Sequence, residues 1–249
     1  MKKKNESGKR IMLICAYGME MVECGGTLYK NVIQVGVSHA IIAFACDDMR
    51  KDLQKSAQIL KTSVEFIGLN NAEISASPEE KKVVIEEIRK FKPDIVVTQD
   101  PEHSISDLDP GRRPFMTLAL ESLSLAGRDY AVGEYEPHSG ATLYYMTPAN
   151  PNCIVDILEA WEAKCDAMNV LHSQLEFSAD YYEEQFSEKE LKTLVPEWSS
   201  LKTPLEKGTA IKSKIDTAAH MFYGACGHSA TLFSEAFRKA ELFELTILI

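Results

Sequence analysis

The densest group of chemically capable side chains lies in the segment QDPEHSISDLDPGRRP. His103, Asp107 and Asp109 carry imidazole and carboxylate groups that could ligate a divalent metal, although their spacing matches no standard metal-binding pattern. Solvated turns often have the same composition. Arg112 and Arg113 follow, and they could clamp a carboxylate or a phosphate or could face solvent at the start of a helix. The segment therefore indicates a metal site, an anion site or a solvated loop.

A second candidate segment, CAYGMEMVECGGTL, follows a short apolar run near the start of the chain. It contains no histidine or aspartate, so Tyr17, Met19 and Glu20 are the side chains that could face a ligand. Gly25 and Gly26 could let the N-terminus of a helix approach an anion. They could equally let that helix pack tightly on a sheet, and the sequence favours this second interpretation.

The remaining histidines and cysteines give weaker signals. Cys226 and His228 in GACGHS could form a nucleophile and base, but their closeness in sequence shows neither contact nor orientation. His172 falls on an apolar helical stripe, which predicts a hydrogen-bonded core histidine. The six cysteines are scattered without CxxC spacing, as expected for reduced thiols. No P-loop, GxSxG or GxGxxG motif is present.

The elements that must position these residues alternate between short buried-type strands and helical patterns. This alternation predicts an α/β fold with a mainly parallel sheet, whose ligands bind beyond the carboxyl ends of the strands. Ser77 and Glu80 predict a capping box at a helix start. The segment DILEAWEAKCDAMNVLHSQ predicts one continuous helix, and residues 180–200 predict a flexible excursion or an oligomer contact.

Composition excludes several classes of protein. The 249 residues carry a formal net charge of −10, and basic residues cluster only in an N-terminal tail over 1–9, so nucleic acid is not an expected partner. No apolar run approaches the roughly 18 residues that a transmembrane helix needs. The apolar stretch after the basic tail is also too short for a secretory signal, so we expect a cytoplasmic protein.

Five motifs together resemble the LmbE-like, or PIG-L-type (GlcNAc-PI de-N-acetylase-like), zinc-dependent N-deacetylases. They are CAYGMEMVECGGTL, RKDLQKSAQILK, IRKFKPDIVVTQ, DILEAWEAKCDAMNVLHSQ and SEAFR, which occur in the family's order over nearly the whole chain. The resemblance implies a Rossmann-like three-layer sandwich in a single domain over 1–249. This domain would consist of a core over 10–127 and a smaller C-terminal part over 128–249. The resemblance also implies a homo-oligomer, commonly a trimer or hexamer.

The same resemblance implies that the chemistry has not been carried over. Aligned on CGGTL, the family's histidine and second aspartate ligands fall on Ala16 and Met19, and its general base falls on Gly18. The third ligand falls on Leu108, or on Gly111 in a shifted register. Alanine, methionine and leucine cannot replace imidazole and carboxylate on zinc. The expectation is therefore no catalytic residue, no metal and no cofactor, and no conventional zinc N-deacetylase activity.

Three functions follow as hypotheses. The first is binding of a small anionic or sugar-like molecule, or service as a partner subunit. The second is a metal-dependent hydrolase or hydratase with a rebuilt site, using zinc with Glu20, His103, Asp107 or Asp109, or using Cys226 with His228. YEPHSG and DILEAWEAKCDAM also resemble the 4-oxalomesaconate hydratase branch, whose polycarboxylate substrates would suit Arg50, Arg112 and Arg113. The third is a structural oligomer component. The candidate cleft residues are Tyr17, Met19, Glu20, Gly25, Gly26, Arg50, His103, Asp107, Asp109, Arg112 and His228.

Overall fold

A computed structural model describes residues 8–131, 133–226 and 231–240 of the chain. The described residues form one seven-stranded sheet. Its strands are β1 (Arg10–Tyr17), β2 (Val37–Phe44), β3 (Ser63–Phe66), β4 (Ile95–Gln99), β5 (Thr142–Met146), β6 (Cys153–Asp156) and β7 (Ser234–Lys239).

The sheet has the order β3-β2-β1-β4-β5-β7-β6, and its first five strands are parallel. Only β7 runs antiparallel, paired with β5 on one side and β6 on the other. The predicted α/β fold with a mainly parallel sheet is confirmed, although no strand was predicted at the position of β7. The strand order reverses between β1 and β4, which opens a crevice at their carboxyl ends.

Ten α-helices accompany the sheet in the described part of the chain. They are α1 (Met19–Glu23), α2 (Gly25–Ile33), α3 (Asp47–Ile59), α4 (Pro78–Phe91), α5 (Pro101–Ser106), α6 (Arg112–Ala126), α7 (Trp161–Asn169), α8 (His172–Gln185), α9 (Glu188–Leu194) and α10 (Pro204–Cys226). None of them is long and apolar enough to cross a bilayer.

Strand β1 shows why the fold has three layers. Its side chains alternate between two apolar clusters, because successive residues of a strand point to opposite faces. Leu13 packs in the cluster that contains residues of α2, α3 and α7, and Ile14 packs in the cluster that contains residues of α4 and α6. Both faces of the strand are buried, which explains its continuous apolar sequence.

The start of α4 follows the predicted chemistry. The Ser77 hydroxyl accepts a hydrogen bond from the Glu80 amide at 3.3 Å, and the Glu80 carboxylate accepts one from the Ser77 amide at 2.6 Å. The predicted capping box of α4 is therefore confirmed. Helix α10 begins in the same way, with reciprocal bonds between Thr203 and Glu206.

The continuous helix predicted over residues 156–174 is wrong. The chain instead forms a 3₁₀ turn over Leu158–Ala160, then α7, and leaves helical geometry at Leu171 before α8 begins. The break buries the Leu171 side chain in the core. His172 starts the next helix and is exposed, so the predicted core histidine is also wrong.

The segment 180–200 is not a flexible excursion. It completes α8, forms α9 with its own Ser187–Glu190 capping box, and ends in a 3₁₀ turn over Trp198–Ser200. Leu191, Val195 and Trp198 form a third apolar cluster with Ile211 of α10. The alternative, an oligomer contact, stays a prediction.

Candidate functional site

The candidate site lies at the carboxyl ends of β1, β4 and β5, where the two segments singled out in the sequence meet. Helix α1 follows β1, while α5 and the start of α6 follow β4. Between them is an open cleft of about 250 Å³, which we call the outer cleft. Its lining residues are Glu20, Glu23, Gln99, His103, Ser104, Asp107, Arg112, Met146 and Thr147.

An ion pair between Glu20 and Arg112 forms the centre of the outer cleft. The Glu20 side chain is buried, with one carboxylate oxygen paired with the Arg112 Nη1 atom. Its other oxygen accepts a hydrogen bond from the Ala16 amide at 2.7 Å. The Gln99 side chain closes the arrangement, since its Oε1 accepts from Arg112 Nη1 at 3.0 Å and its Nε2 donates to the Arg112 carbonyl at 2.7 Å.

Tyr17, at the end of β1, holds the other side of the same guanidinium. The Arg112 guanidinium carbon lies 4.8 Å from the centre of the Tyr17 ring, which is cation–π geometry. The Tyr17 hydroxyl donates a 2.5 Å hydrogen bond to Asp109 Oδ2. Arg112 Nε is also 3.8 Å from Asp107 Oδ2 and 4.0 Å from Asp109 Oδ2. The guanidinium of Arg112 therefore lies within ion-pair distance of three carboxylates.

Burial and charge shift the acidity of these groups in different directions. Burial raises the pKa of Glu20 to about 7, and the nearby Arg112 guanidinium lowers it only in part. Burial opposes the charged form of Arg112 as well, but Glu20 outweighs that effect and raises the pKa of Arg112. Glu20 can therefore gain or lose a proton near neutral pH.

The Tyr17–Asp109 bond shifts both of its partners. Burial, followed by the hydrogen bond to Asp109, raises the pKa of Tyr17 well above its usual range. Burial would raise the pKa of Asp109, but the hydrogen bonds from Tyr17 and the Gly111 amide outweigh it and lower that pKa. Asp109 therefore stays ionised and Tyr17 stays a donor.

The structure brings part of the predicted candidate set together. His103 lines the outer cleft at its mouth, with 62% of its side chain exposed and its Nε2 3.8 Å from Asp107 Oδ2. Met19 does not line the cleft and packs against the apolar cluster of α2 and α3. Arg113 is directed to the Asp107 carbonyl, which accepts a 2.5 Å hydrogen bond from it.

Arg50 lies apart from the outer cleft. It pairs with Asp47 at 3.3 Å, donates to the Ala45 carbonyl at 3.3 Å and stacks on the Phe66 ring. The residues 227–230, which include His228, and the side chain of Cys226 lie outside the described part of the chain. The proposed pairing of Cys226 with His228 therefore stays a prediction.

Gly25 and Gly26 begin α2, whose N-terminus does hold an anion, but the anion belongs to the chain itself. The Glu235 carboxylate of β7 accepts hydrogen bonds of 2.8 Å from the amides of Gly26 and Thr27. The Lys164 ammonium donates to the same carboxylate at 2.6 Å. A Cβ atom on Gly26 would lie 2.8 Å from the Ile157 side chain, so this glycine also allows close packing.

A second space, which we call the inner chamber, adjoins the outer cleft and shares Glu23, Met146 and Thr147 with it. Sequence reasoning missed it. Its volume is about 180 Å³, and α10 contributes three polar side chains at intervals of four residues. That spacing was the available signal, because residues at i, i+4 and i+8 share one helix face. Those three side chains are Lys212, Asp216 and His220.

Comparison with known proteins gives a consistent result. No protein-family model matches the chain. The chain is 29% identical over 136 residues to the diacetylchitobiose deacetylase of Thermococcus kodakarensis, an alignment that covers 52% of this chain and 50% of that protein. The matched part thus spans about half the length of this curated relative.

Solved structures match over almost the full length. The N,N'-diacetylchitobiose deacetylase of Pyrococcus horikoshii superposes with a TM-score of 0.66 at 20% identity, covering 96% of this chain and 87% of that one. The 4-carboxy-2-hydroxymuconate hydratase GalB of Pseudomonas putida KT2440 gives 0.67 at 15%, covering 96% and 99%. The conserved protein TT1542 of Thermus thermophilus gives 0.69 at 16%, covering 97% of each chain.

The chain has the LmbE-like deacetylase fold. The deacetylase and hydratase structures share this fold, and the half-length sequence match is also to a deacetylase.

The residues at the family's metal positions do not fit zinc. A Cβ atom on Gly18 would lie 2.4 Å from Leu53 Cδ2, so the space of a carboxylate side chain there is filled. Ala16 offers only its amide, which binds Glu20. The side chain of Leu108 is apolar and 96% exposed. Among the described residues, no three His, Cys, Asp or Glu side chains converge as metal ligands.

Proposed function

We propose that this LmbE-like protein binds a small, hydroxyl-rich, sugar-like molecule in the outer cleft, without zinc, and does not catalyse conventional zinc-dependent N-deacetylation. The observation that carries this proposal is the Glu20–Arg112 ion pair beside Ala16. The chain supplies its own cation at the centre of the cleft, at the strand end where the family's resemblance implies a metal. Arg112 is held there by Gln99 and Tyr17.

The charges of the outer cleft favour a neutral ligand over an anionic one. Glu20, Glu23 and Asp107 line it together with one arginine, and that arginine is already paired. Arg50 and Arg113, the other cations considered for an anion, are engaged elsewhere. Carboxylates and the amide of Gln99 are suitable partners for hydroxyl groups. The similarity to a diacetylchitobiose deacetylase supports a sugar-like ligand.

The test combines metal analysis, turnover and binding on one preparation. Protein purified without chelator, supplied with zinc and desalted should retain less than about a tenth of an equivalent of zinc. It should release no acetate from N,N'-diacetylchitobiose. Calorimetry should nevertheless detect binding of glucose or diacetylchitobiose, and Gln99→Leu should weaken it. Absence of sugar binding at millimolar concentration would contradict the proposal.

One observation favours the alternative, a metal-dependent hydrolase or hydratase with a rebuilt site. His103 and Asp107 are 3.8 Å apart and line the outer cleft with Glu20. Near one equivalent of zinc, together with acetate release that His103→Ala abolishes, would support this alternative and overturn the metal-free proposal. Homo-oligomerisation, a role as partner subunit and a cytoplasmic location stay predictions from sequence.

A further inference from the structure

We propose that the inner chamber binds the primary ammonium group of an amine-bearing ligand, with Glu23 and His220 as its acceptors. The proposal rests on the proposed function, since it assigns an additional group to the ligand of the outer cleft. The chamber lies between α1, the end of β5, β7 and α10. Its lining offers acceptors, while the two lysines nearest to them are already bound within the chain.

Glu23 is the carboxylate at the junction of the two spaces, and it lines both of them. Within the described residues its side chain makes no hydrogen bond, and no cation lies within 4.0 Å of it. Glu20 differs, because both of its oxygens are engaged. Burial raises the pKa of Glu23, although Lys212 and Lys164 lower it in part. Glu23 is half-buried, and a carboxylate that is partly removed from water without a partner is stabilised when a ligand cation pairs with it.

His220 supplies a second acceptor of fixed orientation. Its Nδ1 lies 2.6 Å from the Asp216 carbonyl, to which only a protonated nitrogen can donate. The ring centre lies 5.2 Å from that of Trp161, and the residue is buried. Burial, with a contribution from Lys164, lowers the pKa of His220. The neutral ring with a proton on Nδ1 leaves the Nε2 lone pair to accept a hydrogen bond.

Each lysine beside the chamber already pairs with a carboxylate of the chain. Lys212 pairs with Asp216 one helical turn away. Lys164 donates to the Glu235 carboxylate and to the carbonyls of Val22 and Glu23, which uses all three of its protons. Among the described residues, an anion in the chamber would meet the Glu23 carboxylate and lysines that already pair with a carboxylate. An ammonium would meet the Glu23 carboxylate and the His220 Nε2 atom, neither of which has a hydrogen-bond partner within the described part of the chain.

Size connects the chamber to the ligand of the outer cleft. Each space is smaller than the roughly 300 Å³ at the lower end of small-molecule sites, whereas the two together exceed it. Because they share Glu23, Met146 and Thr147, one ligand can occupy both. The hydroxyl groups would lie against Gln99 and Asp107 in the outer cleft, and the amine would lie against Glu23 in the inner chamber.

The experiment compares probes that differ only in the amine. Calorimetric titrations of the full chain use glucose, glucosamine and N-acetylglucosamine at a pH below the pKa of the amine. Glucosamine should bind about tenfold more tightly than the other two, since a charge-assisted hydrogen bond contributes that order of affinity. Glu23→Gln should reduce the affinity for glucosamine to the affinity for glucose. The matched control, Glu176→Gln at an exposed position of α8, should leave the preference unchanged.

His220 provides a second, independent variant. His220→Leu removes the acceptor and should weaken glucosamine about fivefold. His220→Gln keeps an acceptor and should recover part of that loss. Thermal unfolding of each variant confirms that the fold is intact. Loss of glucosamine binding in His220→Leu with equal loss of glucose binding would overturn the assignment.

The outcomes separate this proposal from the proposed function. Equal affinity for glucose and glucosamine would overturn the ammonium site and leave the sugar-binding proposal standing. If neither sugar binds, the sugar-binding proposal fails, and ethanolamine then decides the ammonium site. Ethanolamine binding that Glu23→Gln abolishes would support the site, whereas absence of ethanolamine binding would overturn it.

Discussion

Arg112 is the side chain on which the centre of the outer cleft depends. Its guanidinium contacts Glu20, Gln99 and the ring of Tyr17, and only 24% of the side chain is exposed. Glu20 has no other cationic partner within 4.0 Å among the described residues. Removing the arginine would therefore leave a buried carboxylate without its counter-charge, a condition that costs more than the pair itself contributes.

Arg112→Met should destabilise the fold by about 2 kcal/mol at a pH near 8, and by less near pH 6. Without the guanidinium, the pKa of Glu20 rises further, so at the lower pH the carboxyl group is protonated and the uncompensated charge disappears. Urea unfolding at both pH values measures the difference. Arg113→Met is the matched control, because among the described residues its guanidinium donates to the Asp107 carbonyl and pairs with no carboxylate. Equal losses in the two variants would contradict the assigned role of Arg112.

Glu20 should also contribute to the pH dependence of stability. Its pKa rises from 4.5 to about 7 on folding, so the folded state binds its proton more tightly than the unfolded state does. The stabilising contribution is complete below pH 4.5 and is lost as the pH rises through about 7. Glu20→Gln removes this contribution. Between those pH values, the free energy of unfolding of the variant should fall less than that of the wild type, by up to roughly 3 kcal/mol. Parallel curves in urea unfolding would rule this contribution out.

At the scale of the elements, the N-terminus of α2 packs closely against its neighbours, and glycine makes this close approach possible. The amides of its second and third residues bind Glu235, and its second glycine lies against Ile157. A Cβ at position 25 would meet Leu60 Cδ atoms at 3.1 Å, the movable end of a side chain. A Cβ at position 26 would instead meet Ile157 at 2.8 Å, including its Cβ atom, which is fixed to the backbone.

Gly26→Ala should therefore destabilise the fold by about 2 kcal/mol, and Gly25→Ala by less than half as much. The helix must move away from Ile157 in the first variant, which also lengthens the hydrogen bonds to Glu235. Thermal or urea unfolding of both variants tests the order. In an Ile157→Ala background, Gly26→Ala should lower the free energy of unfolding only slightly, because the new Cβ atom no longer clashes with the Ile157 side chain. An undiminished cost in that background would assign the effect to the backbone instead.

The elements show which parts of the fold could be predicted from sequence. Continuous apolar runs such as that of β1 identify strands, and Ser77 with Glu80 identifies the start of α4, because these signals are local. The break at Leu171 escaped prediction, since the apolar periodicity continues through it and only tertiary burial of that side chain decides the geometry. Strand β7 was not recognised because SEAFRK lacks a typical strand pattern.

Across the whole molecule, the topology decides which distant residues meet. Glu20 and Arg112 are 92 positions apart and become partners because β1 and β4 are neighbours at the reversal of strand order. The sequence could assign both residues to the same edge of the sheet, but not pair them. Glu23, Lys164 and His220 come from three distant parts of the chain, so the inner chamber was not predictable from any one motif.

The net charge makes a prediction about assembly. The resemblance to the family predicts a trimer or hexamer, and each chain carries a formal charge of −10, so the copies repel one another. Salt screens this repulsion over about 10 Å at roughly 0.1 M, so the oligomer should become more stable as the salt concentration increases.

Phe177 and Tyr181 of α8 are exposed apolar groups suited to a contact between copies, and Phe177→Asp should favour the monomer. Sedimentation velocity at low and moderate salt measures both effects, with Leu108→Asp as the control of equal added charge. A monomer in every condition would contradict the prediction.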